Sequence, residues 1–209
     1  MLKVICVLKS GGDYDASYVD ALRSSVEKHL TVPYLFVCLS DIPVPDGYVR
    51  LNNDYKGWWS KIEIFRLKGS VLYLDLDTII LDNINSLAGA ILALPKNQFL
   101  MLKAIHRARQ WASGIMGWSG DFRWIYDQFK YSRYSRCNPR HWDQDYIIAK
   151  LLAENMQIKY VQDYQPGIYS YKKHCKEKGQ PPDDAKIILF HGKPRPHDCN
   201  EEWVKENWQ

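Results

Sequence analysis

A chain of 209 residues, 46% hydrophobic and 13% aromatic with 25% charged, carries enough apolar material for one sizeable core, and its length argues against a second catalytic domain, since domains commonly run about 100–200 residues. The same composition excludes wholesale disorder and low-complexity architecture. Lys and Arg exceed Asp and Glu by only 28 to 24, which suits a phosphate-bearing small molecule but gives no reason to expect nucleic acid.

Val4 to Leu8 is apolar throughout and runs into Lys9, too short for the roughly 7–15-residue core of a secretory signal, and it reads as a first buried strand closed by Ser10-Gly11-Gly12-Asp13. Tyr18, Leu22, Val26 and Leu30 then recur at helical spacing. Tyr34 to Leu39 is a second apolar strand ended by the turn-rich segment Ser40 to Gly47, with a short strand at Tyr48 to Leu51. Trp58, Ile62 and Phe65 predict a helix over Trp58–Leu67, terminated by Gly69 before a strand at Val71–Leu74. The second half is less regular: strands at Phe99–Leu102 and Gly114–Trp118, helices around Phe122–Phe129 and Gln144–Leu152, a charged surface loop from Lys172 to Pro182, a strand at Ile187–Phe190 and a C-terminal helix from Glu201 to Trp208 that lays Trp203 on the core.

Apolar strands alternating with helices predict an α/β fold, a single domain over 1–209 with a mostly parallel central sheet flanked by helices. The longest later apolar run, Leu87 to Pro95, is less than half the roughly 20 residues that span a bilayer, so no transmembrane segment is expected and only a peripheral association with a membrane stays open. The five cysteines, Cys6, Cys38, Cys137, Cys175 and Cys199, are scattered and lack a C-x-x-C spacing. They suggest neither a disulfide framework nor a zinc cluster, and reduced thiols in a cytoplasmic protein are expected.

Ligands of open parallel sheets sit beyond the strand C-termini, and three candidate groups emerge there. Asp75-Leu76-Asp77 follows the strand Val71–Leu74; two carboxylates spaced i and i+2 share a face and can hold a hard divalent cation with positions left for nucleotide phosphates, unless the pair is an ordinary solvated turn. His191 follows Ile187–Phe190 and opens the loop His191-Gly192-Lys193-Pro194-Arg195-Pro196-His197: the imidazole completes a metal site or is structural, Gly192 lets the backbone approach a diphosphate, and Lys193 offsets its charge. Asp143-Gln144-Asp145 opens a helix; these side chains either cap it and complement its dipole or face a sugar in glycosyl chemistry. Trp58, Trp59, Trp111, Trp118, Trp124 and Trp142 are core residues or flat platforms for a sugar ring.

These motifs, in this order from Val4 to about Pro194, resemble glycosyltransferases of the GT-A fold, most closely family 8, which includes glycogenin and the bacterial lipooligosaccharide galactosyltransferases. Leu8-Lys9-Ser10-Gly11-Gly12-Asp13-Tyr14 is similar to that family's nucleotide-binding turn, with Ser10 on the nucleoside and Tyr14 stacked on uracil. Ser60-Lys61-Ile62 resembles the segment whose lysine reaches the donor, Asp75-Leu76-Asp77 the metal-binding D-x-D, Ser113-Gly114 the turn beside the donor sugar, Asp143-Gln144-Asp145 the D-Q-D of the galactosyltransferases, and His191 the third metal ligand. Two positions depart from the pattern: Ala112 stands where the family has Asn, and the His191-Gly192-Lys193 loop is contracted.

The resemblance implies a retaining hexosyltransferase that takes glucose or galactose from a UDP-sugar to a hydroxyl on a glycan, a lipid-linked saccharide or a protein. It implies Mn²⁺ or Mg²⁺ on Asp75, Asp77 and His191, catalytic roles for Asp143, Gln144 and Asp145, and donor contacts from Leu8, Ser10, Tyr14, Lys61, Asp75, Leu76, Asp77, Ser113, Gly114, Gly192 and Lys193. Residues 1–80 would form the nucleotide-binding half and 81–209 the acceptor half. Two alternatives stand beside it. Val71-Leu72-Tyr73-Leu74-Asp75-Leu76-Asp77-Thr78 also resembles the nucleophile strand of haloacid-dehalogenase-type phosphatases, with Asp183-Asp184 as the late acidic pair; and the departures at Ala112 and Lys193 fit a catalytically silent nucleotide-sugar-binding domain.

Overall fold

The structure, a computed structural model, describes residues 1–105, 110–130 and 142–208; Cys137 lies outside them. Its strands in chain order are β1 (Leu2–Leu8), β2 (Tyr34–Ser40), β3 (Tyr48–Arg50), β4 (Gly69–Leu74), β5 (Thr78–Ile80), β6 (Gln98–Lys103), β7 (Trp111–Gly120), β8 (Gln157–Tyr160), β9 (Ile168–Ser170) and β10 (Ile187–Leu189). Seven form the central sheet in the order β3-β2-β1-β4-β7-β6-β8, and a second sheet of three has the order β5-β10-β9. In the large sheet β1 pairs in parallel with β2 and β4, β2 with β3, and β6 with β8. Only β7 runs against its neighbours β4 and β6, so the expected mostly parallel α/β sheet is what forms.

Strands of such a sheet are covered on both faces and need side chains that are apolar at every position rather than at alternate ones. Val4, Ile5, Cys6, Val71, Leu72 and Leu74 are accordingly all fully buried. One face packs on α1 (Ala16–His29) and α2 (Asn85–Leu92) through Tyr18, Leu22, Val26, Leu87 and Ile91. The other packs on Trp59, Ile62 and Phe65 and on α3 (Arg123–Lys130) and α4 (Asp143–Ala153) through Ile125, Phe129, Tyr146 and Ile147. A third, smaller cluster joins Ile79, Tyr171, Phe190 and Val204 of the C-terminal α5 (Glu202–Asn207), against which the partly buried Trp203 packs as expected. The four described cysteines are free and buried, and among the described residues no helix is long and apolar enough to cross a membrane.

Two of the expected elements take a different form. Gly57–Arg66 is a 3₁₀ helix rather than an α-helix, and every residue from Trp59 through Phe65 is buried, whereas the expected amphipathic α-helix would bury one stripe. Glu63, fully buried, accepts the Asn52 and Asn53 backbone N–H groups at 2.7 Å each and pairs with Arg66 at 2.6 Å, fixing the loop after β3. The segment expected as an open loop from Lys172 begins within a π-helical turn, Tyr171–Cys175, whose Tyr171 and Cys175 join the small core.

The turn after β1 is tied to the end of β2. Asp41 accepts the Ser10 backbone N–H at 2.8 Å and the Ser10 hydroxyl at 2.6 Å, and pairs with Lys9 at 2.7 Å. Burial opposes ionisation of Asp41, but these bonds from Lys9 and Ser10 outweigh it and hold the carboxyl down at about 2. A depressed acid stabilises the fold above its unfolded pKa of about 3.9 and loses that contribution as pH falls through the folded value. Asp41→Asn should therefore cost about 1–2 kcal/mol at neutral pH, and urea denaturation should show the gap to the wild type closing as pH drops from about 4 to about 2.

Candidate functional site

Beyond the C-terminal ends of β1 and β4 lies a cavity of about 480 Å³. Asp75 and Asp77 both line it, but from the tight turn that joins β4 to β5 rather than from one strand face. The backbone N–H of Asp75 donates to the Gly114 carbonyl at 2.9 Å, and a Cβ on Gly114 would stand 3.3 Å from Asp75 Oδ2. Gly114 thus lets the carboxylate lie flat against β7.

Lys61 is the hub of the floor. Its buried Nζ pairs with Asp75 Oδ1 at 2.9 Å and Asp143 Oδ2 at 3.0 Å, and donates to Ser113 Oγ at 3.2 Å. Ser113 in turn donates to Asp143 Oδ2 at 2.8 Å, and the Tyr73 hydroxyl to Asp75 Oδ1 at 2.6 Å. Burial works against the ammonium charge, but the charges of Asp143 and Asp75 outweigh it and hold its pKa above the usual lysine value. The structure brings Lys61, Asp75, Ser113, Gly114 and Asp143 together from four separate segments.

Asp77 is buried beneath a second cation. Arg195 Nη1 stands 2.6 Å from Asp77 Oδ2, Arg195 Nη2 3.2 Å from Asp13, and the guanidinium lies 4.6 Å from the centroid of the Tyr14 ring. Tyr14 also donates its hydroxyl to Asp77 Oδ2 at 2.7 Å. Burial and the charge of Asp75 push the Asp77 carboxyl up, against the pull of Tyr14 and Arg195. Tyr14, expected as a platform for uracil, thus has Arg195 over its ring and its hydroxyl on the D-x-D. In the sequence Arg195 is marked only as a lone arginine in a Gly/Pro-rich loop that follows a buried strand.

A second cavity of about 440 Å³ adjoins the first, and Trp58, His191, Gly192 and Arg195 line both. Its wall is aromatic: Trp58 and Trp142 stack 5.1 Å apart at 20°, and Trp111, Ala112 and Gln144 also line it. Of the six tryptophans expected as core residues or platforms, Trp59 and Trp118 are core and Trp124 packs on it.

The remaining expected residues are placed differently from one another. Gln144 lines the second cavity, whereas Asp143 and Asp145 line neither. Asp143 sits behind the wall holding Lys61, and Asp145 accepts the Trp142 backbone N–H at 3.3 Å, capping α4. Leu8 is fully buried and Leu76 nearly so, the latter lining the first cavity. Ser10 is committed to Asp41. Gly192, with φ of 73°, adopts a left-handed conformation that favours glycine and lines both cavities, while Lys193 lines neither. The acidic pair required by the phosphatase alternative is elsewhere: Asp184 accepts the Tyr169 hydroxyl at 2.8 Å, and neither Asp183 nor Asp184 lines the cavity of Asp75 and Asp77.

The expected metal ligands Asp75, Asp77 and His191 line one cavity, yet among the described residues no three His, Cys, Asp or Glu side chains converge to hold an ion. Ammonium and guanidinium groups stand at 2.9 Å and 2.6 Å from the two carboxylates, where a divalent cation would be repelled. The donor set as arranged does not fit Mn²⁺ or Mg²⁺.

No protein-family model matches the sequence, and neither does any curated protein. Solved structures do match. The glycosyltransferase GlyE of Streptococcus pneumoniae TIGR4, in its apo form, is similar at a TM-score of 0.65 and 14% identity over 99% of this chain and 59% of that one. An active-site mutant of LgtC gives 0.63 at 13% identity over 98% and 93%, and the galactosyltransferase LgtC with donor and acceptor sugar analogs gives 0.56 at 11% over the same shares. The fold is that of these glycosyltransferases. The resemblance read from the sequence is met at that level, and this chain spans somewhat under two thirds of GlyE but most of LgtC.

The buried Lys61 network has a measurable consequence. Lys61→Met leaves Asp75 and Asp143 without their shared cation and should cost about 3–5 kcal/mol in urea denaturation, the usual penalty for removing one partner of a buried pair. Lys61→Met combined with Asp143→Asn should cost clearly less than the sum of the single changes.

Proposed function

We propose that the protein is a glycosyltransferase that moves a hexose, glucose or galactose, from a UDP-sugar to a hydroxyl on a glycan, a lipid-linked saccharide or a protein. The observation that carries this reading is the pair of adjoining cavities at the strand ends. One is faced by cations and carboxylates, the other is walled by tryptophans, and they meet at His191, Gly192 and Arg195. A charged nucleotide diphosphate suits the first and a sugar hydroxyl acceptor, stacked on an indole face, suits the second. That LgtC, similar in fold, was solved with donor and acceptor sugar analogs supports the reading.

In the proposed reaction the bond from the anomeric carbon to the diphosphate oxygen breaks, and its electron pair stays on the departing UDP. The acceptor oxygen bonds the anomeric carbon from the same face, with retention, and its proton passes to the departing phosphate oxygen. Lys61 lines the first cavity and its charge opposes the negative charge that develops there, an effect that is strongest where water is excluded. Same-face attack is favoured over a covalent intermediate because neither Asp143 nor Asp145 lines a cavity, whereas Gln144, a poor nucleophile and a good positioning group, does.

Thermal shift with UDP and UDP-hexoses tests the reading, since a ligand that binds only the folded state adds about 2.7 kcal/mol at a hundredfold excess over its Kd. Stabilisation by UDP and by one hexose conjugate, with transfer to an acceptor glycan, is the expected result; no shift with any of them would overturn it, and a shift without transfer to any acceptor would leave a silent binding domain. Gln144→Ala should lower kcat by about a hundredfold while leaving the Kd for UDP unchanged.

A further inference from the structure

We propose that Arg195, a residue of the loop after β10, takes the place of a divalent cation at this site, so that the nucleotide diphosphate is held by the chain's own guanidinium, with the charge of the Lys61 ammonium beneath it. The inference rests on the reading above that the first cavity receives a nucleotide diphosphate. Its own observation is the occupation of the D-x-D: Arg195 on Asp77 at 2.6 Å and Lys61 on Asp75 at 2.9 Å, with no three ligating side chains converging among the described residues.

Arg195 is built into the site rather than draped over it. Its guanidinium is held by carboxylates from the turn after β1 (Asp13) and the turn after β4 (Asp77), packs over the Tyr14 ring, and has a side chain only 15% exposed. Its backbone N–H donates to Asp198 Oδ2 at 2.9 Å, fixing the loop that carries it. A guanidinium carries five N–H donors; Nε is buried, and the two ion pairs engage Nη1 on one oxygen of Asp77 and Nη2 on one oxygen of Asp13, so each terminal nitrogen keeps a second N–H. Donors therefore remain for phosphate oxygens, which Arg binds through paired hydrogen bonds at fixed charge. Because Arg195 lines both cavities, it stands at their junction, where the bond to be broken would lie. Asp77 is then the residue that positions the guanidinium, not a metal ligand.

Isothermal calorimetry with UDP as the probe decides the matter. The wild type should bind UDP with the same Kd, within about threefold, in EDTA and in Mn²⁺. Arg195→Gln should weaken binding in EDTA by about tenfold or more, Arg195→Lys should recover part of the loss, and Asp77→Asn, which takes one partner from the guanidinium, should weaken UDP binding by the same factor in EDTA and in Mn²⁺. Manganese alone, followed by electron paramagnetic resonance, should bind more tightly to Arg195→Gln than to the wild type, because two carboxylates lose their competing cation. Binding of UDP by the wild type only when Mn²⁺ is present, or undiminished binding in EDTA by a folded Arg195→Gln, would overturn the proposal while leaving the transferase intact. No UDP binding under either condition would remove both.

Discussion

An ammonium group cannot stay buried without opposite charge close by, and the position of Lys61 follows from that constraint. Asp75, Asp143 and Ser113 meet around its Nζ, and they come from the turn after β4, the first residue of α4 and the first part of β7. The lysine is therefore a joint between the two halves of the sequence. Asp143 serves twice, since a carboxylate in the first turn of a helix also favours the helix dipole. Two residues along the same 3₁₀ helix, buried Glu63 points its carboxylate the other way, into the backbone N–H groups after β3. Opposite charges on opposite sides of one short helix lock it between the sheet edge and the cavity.

The D-x-D turn depends on that joint and on a second one. Asp75 faces Lys61 on the floor while Asp77 faces Arg195 under the C-terminal loop, so the two carboxylates of one turn hold opposite walls of the cavity. The loop after β10 is anchored by the buried Pro196 and Cys199, and ion pairs to Asp77 and Asp13 together with the Tyr14 ring set the distance of Arg195 from the turn after β1.

The parts of the fold legible in the sequence were those where one physical signal dominates. Val4–Leu8, Tyr34–Leu39 and Val71–Leu74 are long apolar runs because β1, β2 and β4 are covered on both faces, and α1 shows its buried side as a plain four-residue repeat. The parts missed are short or governed by tertiary contacts. β5 and β9 have three residues each, too few for a period to show; β10 is as short, but Ile187–Phe190 is apolar enough to read as a strand. β8 lies at the sheet edge with alternating exposure, and α2 was visible only as an apolar run. Within the site, a motif could say that Lys61, Asp75, Ser113 and Asp143 belong together, but not that Asp143 would turn inward to the lysine while Gln144 faces the cavity. The role of Arg195 was hidden because its partners, Asp13 and Asp77, lie more than a hundred residues away.

The sharing of Trp58, His191, Gly192 and Arg195 between the two cavities also bears on how such a site diversifies. A replacement at any of these four remodels both chambers at once, so its effect on one ligand cannot be inherited separately from its effect on the other, and pairs of changes there should be strongly epistatic. Residues belonging to a single chamber carry no such burden: Ile105, Trp111 and Ala112 on one side, Val7 and Ser60 on the other. Drift in what one chamber accepts is therefore channelled to those private positions, and the common wall is the part of the site that descent is least free to alter.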